Sequence, residues 1–302
     1  QPQFLVRGEL TGRTSGTRHS VAVQRNLAGE LVMRRQGETL RSAAALADSL
    51  PILVINAHSF ELLNGEPDNR RRFLDWGLFH VEHSHRASRR SFQRALSQRN
   101  QLLRRGNISS IELESWTHDF ASHGEAVALA RQQFLDRLAK PFSNLIDALV
   151  PELRDVSLNY RQGWAGQTSL QEALNNSADA DVERGFTHIG PQRADVRVMV
   201  AGRSAAETLS RGQQKLVVCA LKLAQGQVLN QASGRRALWL IDDLPSELDA
   251  DKTARVCMAL SEQDSQSMIT CVDRGSIDSQ AFGGGAGCSV FHVEHGCVTA
   301  AV

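Results

Sequence analysis

The most constraining feature of the sequence is a short apolar run, Ala-Leu-Trp-Leu-Ile at 237–241, followed at once by Asp242 and Asp243. A continuous apolar run of this length, between two helical patterns, predicts a buried strand of an α/β sheet. Ligands of open α/β sheets bind beside the carboxyl ends of the strands, where these two acids lie. Acidic residues are also common in turns and as helix caps, so a plain polar turn explains the pair equally well on its own.

The two acids suit different tasks if the site binds a phosphorylated ligand. Asp242, the first residue after the strand, is the candidate to hold Mg²⁺, directly or through water. Asp243 would then face a water molecule beside the terminal phosphate and orient or deprotonate it, because phosphoryl transfer depends more on positioning than on covalent chemistry. Asp242 is therefore the predicted metal residue, and Asp243 is the predicted catalytic carboxylate.

A second candidate element is Leu-Ser-Arg-Gly-Gln-Gln at 209–214, which begins a helical pattern. Ser210 and Gln213 fit a capping box, in which each side chain binds the backbone of the other residue. Gly212 leaves the amides of the first turn open to an incoming anion. A capping box alone is usually structural, but this one stands just ahead of the strand and its two acids.

Three patterns divide the rest of the chain. Residues 3–35 alternate apolar and polar positions, which predicts antiparallel strands, and the apolar run at 51–56 predicts a buried strand. From about 70 to 151 apolar residues recur at helical spacing, and Pro141 is expected to kink or restart a helix. Beyond this point strands and helices alternate, which predicts a parallel α/β sheet, and residues 289–302 predict a closing hairpin.

Basic residues are concentrated in one helical stretch, although the whole chain has a formal net charge of only +1. Between positions 70 and 105 there are ten arginines and two acidic residues. Arg86, Arg90 and Arg94 stand four residues apart on one face, and together with Arg70 they are candidates to neutralise DNA phosphates. A solvated helix face, or ion pairs within the protein, explains the same pattern.

Composition excludes several classes of protein. No apolar run approaches the ~20 residues of a membrane-spanning helix, and the first residues lack the pattern of a signal peptide. The five cysteines form no CxxC pair, which favours reduced, buried thiols over a disulfide framework or a zinc site. We therefore expect a cytoplasmic protein.

The order and spacing of the motifs lead to a family. The Leu-Ser-Arg-Gly-Gln-Gln segment, the apolar strand with its two acids, and Ser-Glu-Leu-Asp at 246–249 match the signature motif, Walker B strand and D-loop of ABC-type ATPases. Further family-like stretches are LLNGEPDNRRRFLDWGLF at 62–79, QRNQLLR at 98–104 and HIGPQRADVRV at 188–198. Over nearly its whole length the sequence resembles the RecF family of recombination-mediator ATPases.

The resemblance implies an α/β fold: an ABC-type P-loop ATPase head, with a mixed sheet and flanking helices, into which a helical lobe is inserted. The expected domains are a strand-rich first part of the head at 1–69, a helical lobe at 70–151, and a second part of the head at 152–302. The last of these carries the signature motif, the Walker B strand and the D-loop.

The same resemblance implies that two protomers close over ATP and Mg²⁺. The residues expected to reach the terminal phosphate in the other protomer's half-site are Ser210, Arg211, Gly212 and Gln213. Ser246 and Asp249 would belong to the D-loop. The implied partners are gapped or single-strand/duplex DNA, a second copy of the chain, recombination mediator proteins and the recombinase, in a weak ATPase of recombinational repair and the SOS response.

The match fails at three points. No G-x-x-x-x-G-K-[ST] loop is present, so these residues alone should not cradle ATP phosphates, and truncation ahead of Gln1 is the expected cause. The segment after Asn56, Ala-His-Ser-Phe, lacks the proline and acidic residue usual in the Q-loop region, which leaves its role open. No histidine follows the strand at 267–272, so no switch histidine is assigned.

Two alternatives stay open. The ATPase subunit of a membrane transporter has the same signature motif and Walker B strand. Arg211 in the signature motif and the basic helical stretch disfavour a transporter subunit. A nucleotide-incompetent ABC-type fragment that serves as an interaction module is the other alternative.

Overall fold

The computed structural model describes residues 2–12, 16–105, 110–277, 282 and 288–300. The chain divides into two compact units, residues 1–52 and 53–302. Within the described ranges, no helix combines the length and apolar character needed to cross a bilayer.

The first unit is an antiparallel sheet followed by a helix. Its elements in chain order are β1 (Pro2–Thr11), β2 (Arg18–Asn26), β3 (Leu31–Arg35), β4 (Glu38–Thr39) and α1 (Ala43–Ser49). Val6 lies opposite Val23, which lies opposite Met33. Gly29 and Gly37 adopt positive φ in the turns that flank β3, a conformation that glycine reaches without steric cost. The antiparallel strand group predicted for residues 3–35 is confirmed.

The second unit combines strands with long helices. Its strands are β5 (Ile52–Ile55, which begins at the last residue of the first unit), β6 (Val156–Arg161), β7 (Asp195–Val200), β8 (Arg203–Ser204), β9 (Leu238–Ile241), β10 (Ser267–Ile269), β11 (Phe291–Glu294) and β12 (Cys297–Ala300). Its helices are α2 (Glu61–Asn64), α3 (Pro67–Val81), α4 (His83–Arg105), α5 (Ser110–Leu149), α6 (Leu170–Asn176), α7 (Ala178–Arg184), α8 (Ala205–Thr208), α9 (Arg211–Ser233), α10 (Leu244–Glu247) and α11 (Ala250–Ser261). The predicted closing hairpin is confirmed by the antiparallel pair β11 and β12.

A three-stranded sheet carries the acid-bearing strand at its centre, in the order β10-β9-β5. β9 and β10 run parallel, with Met268 beside Leu240, as the alternating pattern predicts. Helix α9 packs closely on this sheet, because a Cβ added at Gly226 would stand 2.7 Å from the Trp239 ring. Trp239 is fully buried, and glycine at this position lets the helix approach the strand.

The other strand pair beyond residue 151 corrects the prediction of one parallel sheet. β6 and β7 pair antiparallel, with Leu158 opposite Val198, and β8 adds to β7 in the same sense. The chain between β6 and β7 contains α6 and α7, which pack against α5 and α4 rather than crossing over a sheet. Without a crossover helix the chain returns beside β6 in the opposite direction.

The predicted helical region at 70–151 is confirmed as α3, α4 and α5, but Pro141 does not restart a helix. Helix α5 continues through it to Leu149. Proline inside a helix costs about 3 kcal/mol through a lost hydrogen bond and a steric clash. Leu138 and Phe142 beside it are almost fully buried, and each such burial contributes about 1.5–3 kcal/mol, so packing maintains the helix.

The helices divide between two cores. One extends from β5 and β9 through α9 to α3 and the second half of α5, where Gly77 gives room to the Phe134 ring. The smaller core contains Phe92, Phe120 and Leu170, and so joins α4, the first half of α5 and α6. The boundaries proposed at 69 and 151 remain a prediction, since α6 contributes to the core of the helical region from beyond residue 151.

The prediction of buried thiols holds for part of the cysteine set. Cys219 and Cys257 are buried in α9 and α11, and burial raises the pKa of the Cys219 thiol to about 12. Cys271 and Cys297 are exposed. Cys297 belongs to β12, a strand whose residues all lie at the surface.

A buried ion pair fixes the smaller core. The Arg99 side chain is 1% exposed and its guanidinium binds Asp181, which is fully buried, at 2.7 Å. The same guanidinium also donates to Thr117 at 3.0 Å and to Thr187 at 2.6 Å. The backbone amide of His188 donates to Asp181 at 3.0 Å. Four segments of the chain therefore meet at this pair.

Replacing Arg99 by methionine should lower the free energy of unfolding by about 3–5 kcal/mol, because it removes the guanidinium from the buried Asp181 carboxylate and leaves that carboxylate only its contacts with His188 among the described residues. Urea unfolding followed by circular dichroism measures the loss. Arg90→Met on the same helix is the matched control, since Arg90 is exposed, and it should change stability by less than about 0.5 kcal/mol. Equal effects of the two substitutions would show that the pair does not stabilise the core.

Candidate functional site

Asp242 stands where two neighbouring strands hold the end of β9. Its backbone amide donates to the Ile55 carbonyl of β5 at 2.9 Å. On the other side, its Oδ1 accepts a hydrogen bond of 2.8 Å from the Thr270 hydroxyl, just after β10. Its Oδ2 has no hydrogen-bond partner within the described chain, and the residue is exposed. The carboxylate is therefore oriented by the sheet, with one oxygen directed to solvent.

Asp243 has a left-handed backbone, with φ 48° and ψ 47°. For a residue other than glycine this conformation costs of order 1–3 kcal/mol and persists only where its surroundings impose it. The Thr270 hydroxyl accepts from its amide at 3.0 Å, and the Ser246 hydroxyl donates to its Oδ2. Its Oδ1 is buried and has no hydrogen-bond partner in the described structure. The second acid is thus fixed through one oxygen while the other stays unpaired.

The predicted D-loop residues occupy two positions around the short helix α10. Ser246 lies within this helix and contacts Asp243. Asp249 caps α11, accepts from the Lys252 amide at 3.0 Å and forms an ion pair with the Lys252 ammonium. The hydrogen bond from the Lys252 side chain lowers the pKa of this exposed carboxyl.

The predicted capping box is present at the start of α9. Ser210 Oγ accepts from the Gln213 amide at 3.3 Å, and Gln213 Oε1 accepts from the Ser210 amide at 3.1 Å. Gln213 also donates to Glu152 at 3.2 Å. The pKa of Glu152 lies below its usual value, mainly through a hydrogen bond from its own amide and then through this contact. The first turn of α9 is thereby held in place.

Arg211 and Gly212 form the open part of this turn. Arg211 is exposed. A Cβ at Gly212 would stand 3.1 Å from the Lys252 ammonium, so glycine brings the start of α11 close to the start of α9. No hydrogen bond or ion pair in the described structure joins residues 210–213 to Asp242 or Asp243.

Lys215, one turn further along α9, connects three of the predicted motifs. Its ammonium donates to the Glu247 carbonyl and pairs with the Glu247 carboxylate, each at 2.7 Å. It also lies 5.5 Å from the centre of the Phe60 ring. Phe60 ends the 3-10 turn Ala57–Phe60, whose first turn is capped by Asn56 and Ser59. The segment with an open Q-loop role therefore contacts α9, and Lys215 of that helix in turn binds α10.

Mg²⁺ suits the acid pair by its chemistry. Within the described ranges no group of three or more His, Cys, Asp or Glu side chains could hold a metal ion. Mg²⁺ is commonly bound by one or two carboxylates together with phosphate oxygens and water, and the free Oδ2 of Asp242 is such a ligand.

The four arginines predicted to contact DNA have different surroundings. Arg70 is buried and binds both oxygens of Asp195, at 2.6 and 3.2 Å. Burial opposes ionisation of Asp195, but the hydrogen bonds from Arg70 and Arg197 outweigh it and lower the pKa of that carboxyl. The structure thus gives Arg70 a structural role, which removes it from the candidate DNA contacts.

Arg86 is also largely engaged inside the protein. It is partly buried, donates to the Phe79 carbonyl at 3.0 Å and lies over the Phe79 ring at 3.9 Å. Arg90 and Arg94 are exposed on α4, and Arg94 lies 5.9 Å from the centre of the Trp116 ring. The exposed part of the predicted ridge is therefore Arg90 and Arg94.

The sequence analysis missed Thr270. Its hydroxyl touches both acids, yet in the sequence it is one polar residue inside the predicted strand 267–272. No motif marks it, because its place beside the acids follows from the parallel pairing of β10 with β9.

Comparisons with known proteins place this geometry in a family. Residues 9–298 match the family model described as the RecF/RecN/SMC N terminal domain. A protein of Stutzerimonas stutzeri (strain A1501) called DNA replication and repair protein RecF is 41% identical over 299 residues, which cover 99% of this chain and 80% of that protein. The protein of the same name from Azotobacter vinelandii is 42% identical over 299 residues, covering 99% of this chain and 81% of that protein.

Solved structures agree with this assignment at the level of the fold. The structure of the recombination mediator protein RecF-ATP in the RecFOR pathway matches with a TM-score of 0.84 at 20% identity, over 99% of this chain and 80% of that chain. An SMC head bound to the C-winged helix domain of ScpA matches with a TM-score of 0.51 at 11% identity, over 98% and 73%. The fold is the ABC-type P-loop ATPase head of the RecF and SMC proteins, as predicted, and the chain belongs to the RecF family.

Proposed function

We propose that this protein is an ATP-dependent DNA-binding protein of recombinational repair and replication. It acts in the cytoplasm as a homodimer, binds gapped or single-strand/duplex DNA, and assists recombinase loading with mediator proteins. Its relatives at about 41% identity are named DNA replication and repair proteins. The observation that carries the proposal is the acid pair, in which Asp243 keeps one buried carboxylate oxygen without a partner.

The arrangement of the acids favours hydrolysis of ATP. When bound, Mg²⁺ would neutralise charge on the phosphates, and Asp242 would hold it through its free Oδ2. Ser246 fixes Oδ2 of Asp243, so Oδ1 is the oxygen left to accept a hydrogen bond or a proton from the attacking water. Water positioned by a fixed carboxylate reacts faster because less ordering is needed in the transition state.

The signature residues act across the dimer. No hydrogen bond or ion pair in the described structure joins residues 210–213 to the acids of their own chain, and Arg211 is exposed, while the capping box uses the amide of Gln213 and not those of Arg211 and Gly212. Amides at a helix start favour anions, so this turn suits the terminal phosphate of ATP bound by the other protomer. Lys215 would then transmit dimer closure to α10 and Ser246, beside Asp243.

DNA contact is assigned to Arg90 and Arg94 on α4. Both are exposed and lie one helical turn apart, so two phosphates of one backbone can reach them together. Such contacts provide affinity without sequence preference, which suits recognition of DNA structure rather than of sequence.

In the protein expressed from its complete gene, Asp243→Asn should lower ATP turnover by about 10²–10⁴-fold, because the asparagine side chain cannot accept the proton of the attacking water. ATP should still bind, and the ATP-bound dimer should persist. Steady-state turnover, equilibrium dialysis with ATP and light scattering after gel filtration measure the three properties. Asp251→Asn is the matched control, since this exposed acid pairs with Arg255 and touches neither Asp242 nor Asp243. Dissociation of the variant dimer as fast as that of the parent would remove Asp243 from the catalytic role.

The double change Arg90→Gln and Arg94→Gln should weaken binding to gapped DNA of any sequence. Log K should fall with log salt at about −0.9 per phosphate neutralised on duplex DNA, so the slope should decrease by about 2 in magnitude. Fluorescence anisotropy between low and moderate salt measures it. Arg72→Gln with Arg203→Gln is the charge-matched control on other exposed positions. An unchanged slope in the Arg90 and Arg94 variant would leave these side chains as a solvated face.

A further inference from the structure

Thr270 joins the acid pair to the neighbouring strand through three hydrogen bonds. Its hydroxyl donates to Asp242 Oδ1 at 2.8 Å and accepts from the Asp243 amide at 3.0 Å. Its own amide donates to the Ile241 carbonyl at 2.9 Å. One residue after β10 thus contacts three consecutive residues at the end of β9.

The hydroxyl and the amide of Thr270 have separable tasks. The amide extends the hydrogen bonding between β10 and β9, and any residue except proline would supply it. The hydroxyl adds nothing to the pairing of the strands, because both of its hydrogen bonds go to the acids. A side chain needed only for the sheet would not require an oxygen at this position.

The single proton of the hydroxyl sets the orientation of Asp242. Because it is donated to Oδ1, that oxygen is turned towards β10 and Oδ2 is left facing outward. The same oxygen atom accepts from the Asp243 amide, which has left-handed backbone geometry and no strand partner. The direction of one acid and the backbone of the other therefore depend on one hydroxyl group.

We propose that Thr270 is a positioning residue, which fixes the relative orientation of the carboxylates of Asp242 and Asp243. The inference rests on the proposed function, since this orientation matters to turnover only if the two acids act on ATP. Thr270 itself touches neither nucleotide nor water in this role. It acts through the acids, as groups behind a metal or catalytic ligand commonly do.

Thr270→Val keeps the shape of the side chain and removes the hydroxyl, whereas Thr270→Ser keeps the hydroxyl. In the protein expressed from its complete gene, we expect Thr270→Val to lower kcat for ATP hydrolysis about 10–100-fold, while KM for ATP stays within about twofold of the parent value. Half-saturation by Mn²⁺, followed by electron paramagnetic resonance with a non-hydrolysable ATP analogue, should shift about 10-fold to higher concentration. Serine should restore both properties to within about threefold of the parent.

Hydrogen exchange of the Asp243 amide without nucleotide gives a readout that does not depend on ATP turnover. It should be faster in Thr270→Val than in Thr270→Ser, because only valine removes the acceptor of that amide. Thr168→Val, which removes a hydroxyl that donates to the Ala165 carbonyl and forms no hydrogen bond with the acids in the described structure, is the matched control and should leave all these quantities unchanged.

The two possible failures are distinguishable. A parent protein that hydrolyses ATP, with Thr270→Val turning over and binding Mn²⁺ as the parent does, overturns the inference and leaves the proposed function intact. A parent protein that neither binds nor hydrolyses ATP overturns the proposed function. In that case, hydrogen exchange of the Asp243 amide tests whether the Thr270 hydroxyl orients the two acids. Equal exchange rates in Thr270→Val and Thr270→Ser would overturn the positioning role as well.

Discussion

The close approach of α9 to β9 at Gly226 is the constraint on which the site depends. The Trp239 ring occupies the space that a side chain on Gly226 would need, so the helix lies directly on the strand. This contact sets the position of α9 along the sheet, with its first turn beside α11 and Lys215 within reach of Glu247. A larger residue at 226 would move the helix as a rigid body, because interiors are close-packed and transmit strain. The first turn of α9 would then shift relative to α10.

Much of the positive charge of the helical region serves the fold. Arg70 pairs with Asp195, Arg131 and Arg89 pair with Asp75, and Arg99 pairs with Asp181. Burying a guanidinium is favourable only when other polar groups replace its hydration, and the buried Arg70, Arg99 and Arg131 each bind a carboxylate and further carbonyl or hydroxyl oxygens. Two of these contacts link the helices to β7 and to α7. The arginine-rich composition therefore reflects, in large part, ion pairs within the protein.

The sequence predicted most of the elements, because hydrophobic periodicity and cap residues are local signals. The acid-bearing strand, the capping box of Ser210 and Gln213 and the helices from α3 to α5 all follow from residues within a few positions of one another. Strand direction did not follow: β6 and β7 are antiparallel because α6 and α7 pack on distant helices, which depends on tertiary contacts. The structural role of Arg70 also depends on a tertiary contact, because its partner Asp195 is 125 residues away in the sequence. Thr270 was missed because its importance comes from register between strands rather than from any motif.

The left-handed backbone of Asp243 explains why two adjacent acids can have different roles. In an extended strand, consecutive side chains point to opposite faces, so the second acid would turn away from the first. The change of backbone conformation at Asp243, two residues after the end of β9, turns its side chain to Ser246 in α10. Asp242 remains in line with the sheet, with its amide bound to β5 and its side chain bound to Thr270. The strain at one residue thus separates a carboxylate directed to solvent from one that has a buried, unpaired oxygen. Sites of catalysis commonly retain such strain where the surrounding structure imposes it.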